Sequence, residues 1–145
     1  MNTDEVFLSR SEAETEARGS MLAHELEHTG GVVLLYGDLG AGKTVFSRGF
    51  ARGLGVTEPV SSPTYTIVQE YELPSGKRLY HMDLYRISDE RAALGFGVDE
   101  FLSEAGAVAL VEWPERIAKM LPDDAIRVEL YHRSETEREI KVVRR

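Results

Sequence analysis

The chain has 145 residues, with 17 Lys plus Arg against 25 Asp plus Glu and a formal net charge of −8. It holds no cysteine, which excludes disulfides, zinc–thiolate sites, iron–sulfur clusters and cysteine catalysis. No apolar run approaches the ~18 residues that span a bilayer, and the acidic balance argues against a stand-alone nucleic-acid binder, since phosphate backbones are held by clustered Lys and Arg.

A chain of this length buries enough surface for one core, so residues 1–145 are expected to form a single domain. The opening Met1–Glu5 is acidic and lacks a signal-peptide stretch, so a cytoplasmic location is expected. Val6-Phe7-Leu8 reads as a short strand. Ser11 with Glu14 three residues on fits a capping box. The helix it opens is expected to run to about Glu27, with Ala17, Met21, Leu22 and Leu26 facing inward. Thr29-Gly30-Gly31 stops it. Val32 to Tyr36 is continuously apolar, the pattern of a strand buried on both faces in a parallel sheet.

A glycine-rich turn follows, then a helix from Lys43 to about Leu54, with Phe46, Phe50 and Leu54 as its inner stripe. Thr64 to Leu73 and Arg78 to Arg86 read as two strands joined by the turn Leu73-Pro74-Ser75-Gly76, hence an antiparallel hairpin. Ser88, followed by Asp89 and Glu90, is a helix start. Ala107 to Val111 is a second buried run ending at Glu112, and Pro114 suits the first turn of a short helix. Ala125 to His132 and Glu139 to Val143 form a terminal hairpin. The expected class is α/β, with a mixed parallel and antiparallel sheet flanked by helices.

Gly37-Asp38-Leu39-Gly40-Ala41-Gly42-Lys43-Thr44 matches Gly-x-x-x-x-Gly-Lys-[Ser/Thr] in full, between a buried strand and an amphipathic helix. The glycines let backbone N–H groups turn toward phosphate oxygens, and the helix N-terminus adds a positive dipole end. Lys43 then reaches the β- and γ-phosphates and the Thr44 hydroxyl ligates Mg2+.

Such a site needs a carboxylate near the metal, at the end of a neighbouring apolar strand. Glu112, after Val108-Ala109-Leu110-Val111, fits best; Asp83, after Leu79-Tyr80-His81-Met82, is the second acid. Either can orient the attacking water. Strand alternation places His81, Asp83 and Tyr85 on one face, where a lone His81 reads as a hydrogen-bonded strand residue rather than a base. Ser61-Ser62-Pro63-Thr64 reads as a switch loop sensing the γ-phosphate or as an ordinary polar turn. Trp113 reads most simply as packing. The guanine-selecting Asn-Lys-x-Asp motif is absent. The short connections leave little room for the acceptor site of a small-molecule kinase. What remains is a minimal nucleotide hydrolase or a nucleotide-gated binding module.

Four blocks in order, namely Gly37–Thr44, Ser62-Pro63-Thr64-Tyr65, His81-Met82-Asp83-Leu84-Tyr85-Arg86 and Val111-Glu112-Trp113-Pro114-Glu115, resemble the bacterial TsaE (YjeE) ATPases of tRNA threonylcarbamoyladenosine synthesis, over nearly the whole chain. The resemblance implies one P-loop NTPase-type α/β domain. It implies Mg2+ on Thr44 and Glu112, phosphate on Lys43, Asp83 as a catalytic acid, Thr64 in a switch loop and Trp113 beside the nucleotide. Family members also contact nucleotide at positions matching Glu12 and Arg138. The resemblance further implies ATP as ligand, ADP as product, and TsaB and TsaD as partner proteins. tRNA would be reached only through that complex, and no membrane is involved. A small phosphotransferase and a non-hydrolysing scaffold are the rival classes.

Overall fold

A computed structural model describes residues 3–38, 40–60 and 66–144, of Thr3 the backbone alone. The elements in chain order are β1 (Thr3–Ser9), α1 (Glu12–Leu26), β2 (Gly31–Tyr36), α2 (Lys43–Gly53), β3 (Val68–Glu72), β4 (Arg78–Asp83), α3 (Glu90–Gly95), α4 (Val98–Ser103), β5 (Val108–Glu112), a 3-10 segment (Pro114–Met120), β6 (Ile126–His132) and β7 (Arg138–Arg144). The strands form one seven-stranded sheet in the order β1-β7-β6-β2-β5-β4-β3. β2 pairs in parallel with both β5 and β6, and β4 pairs in parallel with β5. The pairs β1–β7, β6–β7 and β3–β4 are antiparallel. The expected mixed α/β sheet is present, and both hairpins form where turn chemistry places them.

Parallel strands need cover on both faces, and the core divides accordingly. On one face, Leu22 and Leu26 of α1 and Phe46 and Phe50 of α2 pack against Val33, Leu35, Leu110, Val128 and Ile140. On the other, Ala93 of α3, Val98 of α4 and Ile117 pack against Val32, Leu34, Met82 and Val111. β5 is buried along its whole length, as its uninterrupted apolar run requires.

The inward face of α1 differs from expectation. Ala17 and Met21 are exposed, and the buried residues are Thr15, Gly19, Leu22, Ala23 and Leu26. The reason is close helix packing. A Cβ on Gly49 of α2 would lie 2.1 Å from the Glu16 carbonyl oxygen, and one on Gly19 would lie 2.3 Å from that of Phe46. Glycines therefore form the closest approach of the seam, and Leu22 and Leu26 are buried beside it as expected. Gly49→Ala is expected to destabilise the protein by about 1–3 kcal/mol, because overpacking at a backbone contact exceeds the helix-propensity gain of removing glycine. A urea melt checks the sign; stabilisation would contradict the packing account. Glu16 also accepts from Arg48 Nε at 2.8 Å and Arg52 Nη1 at 3.4 Å, which pins the exposed edge of the same seam.

Smaller differences concern boundaries. Ser11 caps α1 by accepting from Glu14 N–H at 3.1 Å, while Glu14 accepts weakly from Arg10 N–H at 3.4 Å, so the box closes one residue early. Asp89, rather than Ser88, caps α3 by accepting from Ala92 N–H at 2.9 Å. β3 begins at Val68 and β4 ends at Asp83, both shorter than expected. α4 was not expected: Gly97 in the left-handed region opens it without a side-chain cap.

Candidate nucleotide site

The parallel register sets the site. Asp83 and Glu112 are direct partners across β4 and β5, and Leu35 of β2 is the next residue along that row. Direct partners point to the same face, so both carboxylates stand on the α1–α2 side at the C-terminal strand ends. That is where open α/β sheets form their binding crevices.

β2 ends at Tyr36 and the glycine-rich turn carries the chain into α2 beside those carboxylates. Ala41 N–H donates to the Asp38 carbonyl at 3.1 Å, tightening the turn, while Ala41 itself packs in the core. Gly42 is the helix N-cap at φ 101°, a backbone that side chains rarely adopt, and among the described residues no side chain caps the helix. α2 also has no acid in its first turn, whereas α1 carries Glu12 and Glu14 and α3 carries Glu90. An uncapped helix start without acids is suited to an anion.

Above it lies a cavity of ≈ 840 Å³. The turn and α2 contribute Gly40, Gly42, Lys43, Thr44 and Val45. The strand ends contribute Asp83, Tyr85, Glu112 and Trp113. The far wall comes from Arg10, Ser11, Glu12 and Thr15 at the start of α1, and from Glu135, Thr136 and Arg138 at the last hairpin. Every expected residue outside the turn that falls among the described residues therefore meets in one cavity. Gly37, Asp38 and Ala41 shape the turn without lining the wall. Leu39 and Thr64, with the rest of the Ser61–Thr64 loop and Tyr65, lie outside the described residues.

Lys43 is buried, 7% exposed, and burial lowers its pKa, opposed by Glu112, Glu115, Asp83 and Asp38 in that order. Its ammonium lies 3.9 Å from the centroid of the Trp113 ring, a cation–π contact. Trp113 holds φ 58°, ψ 49°, a left-handed conformation costing about 1–3 kcal/mol for a residue with a Cβ. Strain of this kind belongs at sites the surrounding structure over-determines. The indole also packs against Tyr85, with centroids 5.0 Å apart. The Asp83 carboxylate accepts from Tyr85 N–H at 3.0 Å. Glu112 accepts from His81 Nε2–H at 2.6 Å, with both residues buried. Arg138 is braced by donating from Nη1 to the carbonyls of Ser134 and Glu137, at 2.8 and 3.0 Å.

The donor set bears on a metal. Among the described residues no group of three His, Asp or Glu side chains is arranged to hold an ion by itself. Mg2+ prefers one or two protein oxygens, several waters and substrate phosphates. The Thr44 hydroxyl and Glu112 carboxylate are hard oxygen donors of that kind, so the residues present fit Mg2+ arriving with a nucleotide and not a resident protein-only metal.

Of the far wall, the resemblance supplies Glu12 and Arg138, and sequence reasoning misses the rest. Arg10, Thr15, Glu135 and Thr136 reach the cavity because β7 inserts between β1 and β6. That pairing brings the last hairpin beside the first helix and leaves no local signal. Among the described residues no helix is long and apolar enough to cross a membrane.

Residues 9–140 match the family model described as "Threonylcarbamoyl adenosine biosynthesis protein TsaE". The tRNA threonylcarbamoyladenosine biosynthesis protein TsaE of Bacillus subtilis is 48% identical over 77% of this chain and 68% of its own length. The protein of that name from Treponema pallidum is 38% identical over 93% of this chain and 97% of its own. The crystal structure of Bacillus subtilis YdiB superposes with a TM-score of 0.80 at 36% identity, covering 99% of this chain and 87% of that one.

Proposed function

The chain belongs to the TsaE family, and from that premise we propose that it is a Mg2+-dependent ATPase serving threonylcarbamoyladenosine modification of tRNA through a TsaB–TsaD complex. One observation carries the nucleotide part: Lys43, Thr44, Asp83 and Glu112 converge on one cavity at an uncapped helix start. The tRNA part rests on the family and on its relatives' names.

In this reading the N-terminal N–H groups of α2 and the Lys43 ammonium hold the β- and γ-phosphates. Thr44 and Glu112 would hold Mg2+, which supplies charge neutralisation on the phosphates when bound. Asp83 orients the attacking water and takes up its proton as the bond from the γ-phosphorus to the ADP oxygen breaks. Trp113 lies beside the phosphate end, where its ring faces the Lys43 ammonium, and Glu12 and Arg138 border the nucleotide from the far wall. Binding draws Lys43 from the indole face to phosphate, which offsets the burial of its charge. A net charge of −8 suits a protein that docks on protein and reaches tRNA only through the complex.

Coupling to a partner requires that the ATP and ADP forms bind it with different affinity. The test is the affinity of the chain for a purified TsaB–TsaD pair, in a non-hydrolysable ATP analogue and in ADP. Tighter binding with the analogue is expected. Equal affinities would reject nucleotide-gated docking.

A further inference from the structure

We propose that His81 is a positioning residue that fixes one oxygen of Glu112, leaving the other to face the metal and nucleotide; this rests on the reading of Glu112 as a Mg2+ ligand. His81 lies on β4 two residues before Asp83, and Asp83 is the direct partner of Glu112. His81 is therefore the diagonal neighbour of Glu112 on the same face, within reach across one strand spacing. Its Nε2–H donates to Glu112 Oε2 at 2.6 Å. His81 is 2% exposed and Glu112 4%.

The wall of the cavity includes Glu112 but not His81. His81 therefore has no contact with what the cavity holds, and it acts only through Glu112. A free carboxylate turns readily about its last torsion, where the energy profile is broad and two-fold. Holding one oxygen on a buried neighbouring strand removes that freedom before the metal arrives. Hydrogen bonds behind a metal ligand set its orientation, and losing one costs about 10- to 100-fold in metal affinity or activity.

A merely structural His81, satisfying a buried acid, predicts lost stability and nothing else. The variants His81→Gln and His81→Asn separate the two roles. Both are polar amides, but only glutamine carries its N–H about as far as Nε2; asparagine is one bond too short. The readouts are ATP affinity in EDTA, the Mg2+ concentration that half-restores full ATP binding, and kcat. His81→Asn is expected to raise the Mg2+ requirement about 10- to 100-fold and lower kcat, with ATP affinity in EDTA unchanged. His81→Gln is expected to restore both.

If the two variants share the wild-type Mg2+ requirement, or differ from it equally, His81 does not position Glu112. If wild-type ATP binding itself ignores Mg2+, the reading of Glu112 as a ligand fails and this inference falls with it. Should both variants misfold, the wild-type protein gives the answer. The imidazole N–H resonance of His81 should shift on adding Mg2+ to the ATP-bound protein and not on adding ATP in EDTA. An unmoved resonance would overturn the proposal.

Discussion

Replacing Lys43 with alanine is expected to weaken ATP binding by about 10- to 100-fold, the loss of one charge-assisted contact of about 1.5–3 kcal/mol, and to abolish hydrolysis. The ammonium is buried and its pKa is lowered by that burial. Burial disfavours the charged form, and among the described residues the indole face of Trp113 and the nearby acids offset that cost. In the proposed complex, phosphate oxygens add charge-assisted hydrogen bonds, so the charge is worth more there than in the free fold. Removing it should leave thermal stability little changed, since the lost cation–π contact with Trp113 is offset by relief of the buried charge. Calorimetric titration with ATP, beside a thermal melt, checks both halves. Unchanged ATP affinity in a folded variant would mean that the glycine-rich turn is not the phosphate site.

Glu112→Gln should behave differently. The amide keeps the shape of the side chain and one acceptor oxygen but loses the charge. Turnover is expected to fall about 10²- to 10³-fold, the loss typical of one preorganised electrostatic group. ATP affinity should fall much less, because Lys43 and the α2 N–H groups are untouched. Single-turnover hydrolysis and equilibrium binding, measured on one preparation, give the split. An equal fall in both would make Glu112 a binding residue alone. A retained rate would contradict the reading of Glu112 as a Mg2+ ligand and leave Asp83, its partner across the β4–β5 register, as the one acid that turnover needs.

The parts of this arrangement written locally were legible in the residues. Gly37 to Thr44 carries its own spacing, and Val108 to Val111 is apolar without interruption, so the turn, its helix and the acid at Glu112 follow from short-range pattern. The nearness of Asp83 to Glu112 does not, because which strands neighbour each other, and in what register, is decided by pairing across the sheet. Nor does the far wall. Glu135 and Thr136 sit in an ordinary hairpin turn and acquire their position only from β7 lying beside β1. Glu12 and Arg138 were accessible only through resemblance to a family, and the fold brings both to the cavity. On α1, Leu22 and Leu26 are buried as expected, but apolar size is a poor guide where two helices meet at glycines: Met21 is 56% exposed while Gly19 is buried. The strand pattern marks His81 as a hydrogen-bonded residue; that its partner is Glu112 is again a matter of strand register.

The central claim is that ATP turnover in this cavity is coupled to a partner complex. ADP formation from Mg-ATP by the purified chain, with and without the TsaB–TsaD pair and with Lys43→Ala as the blank, tests it most directly. The account predicts slow hydrolysis by the chain alone, a clear rise when the pair is added, and neither in the blank. Equal rates with and without the pair would contradict it.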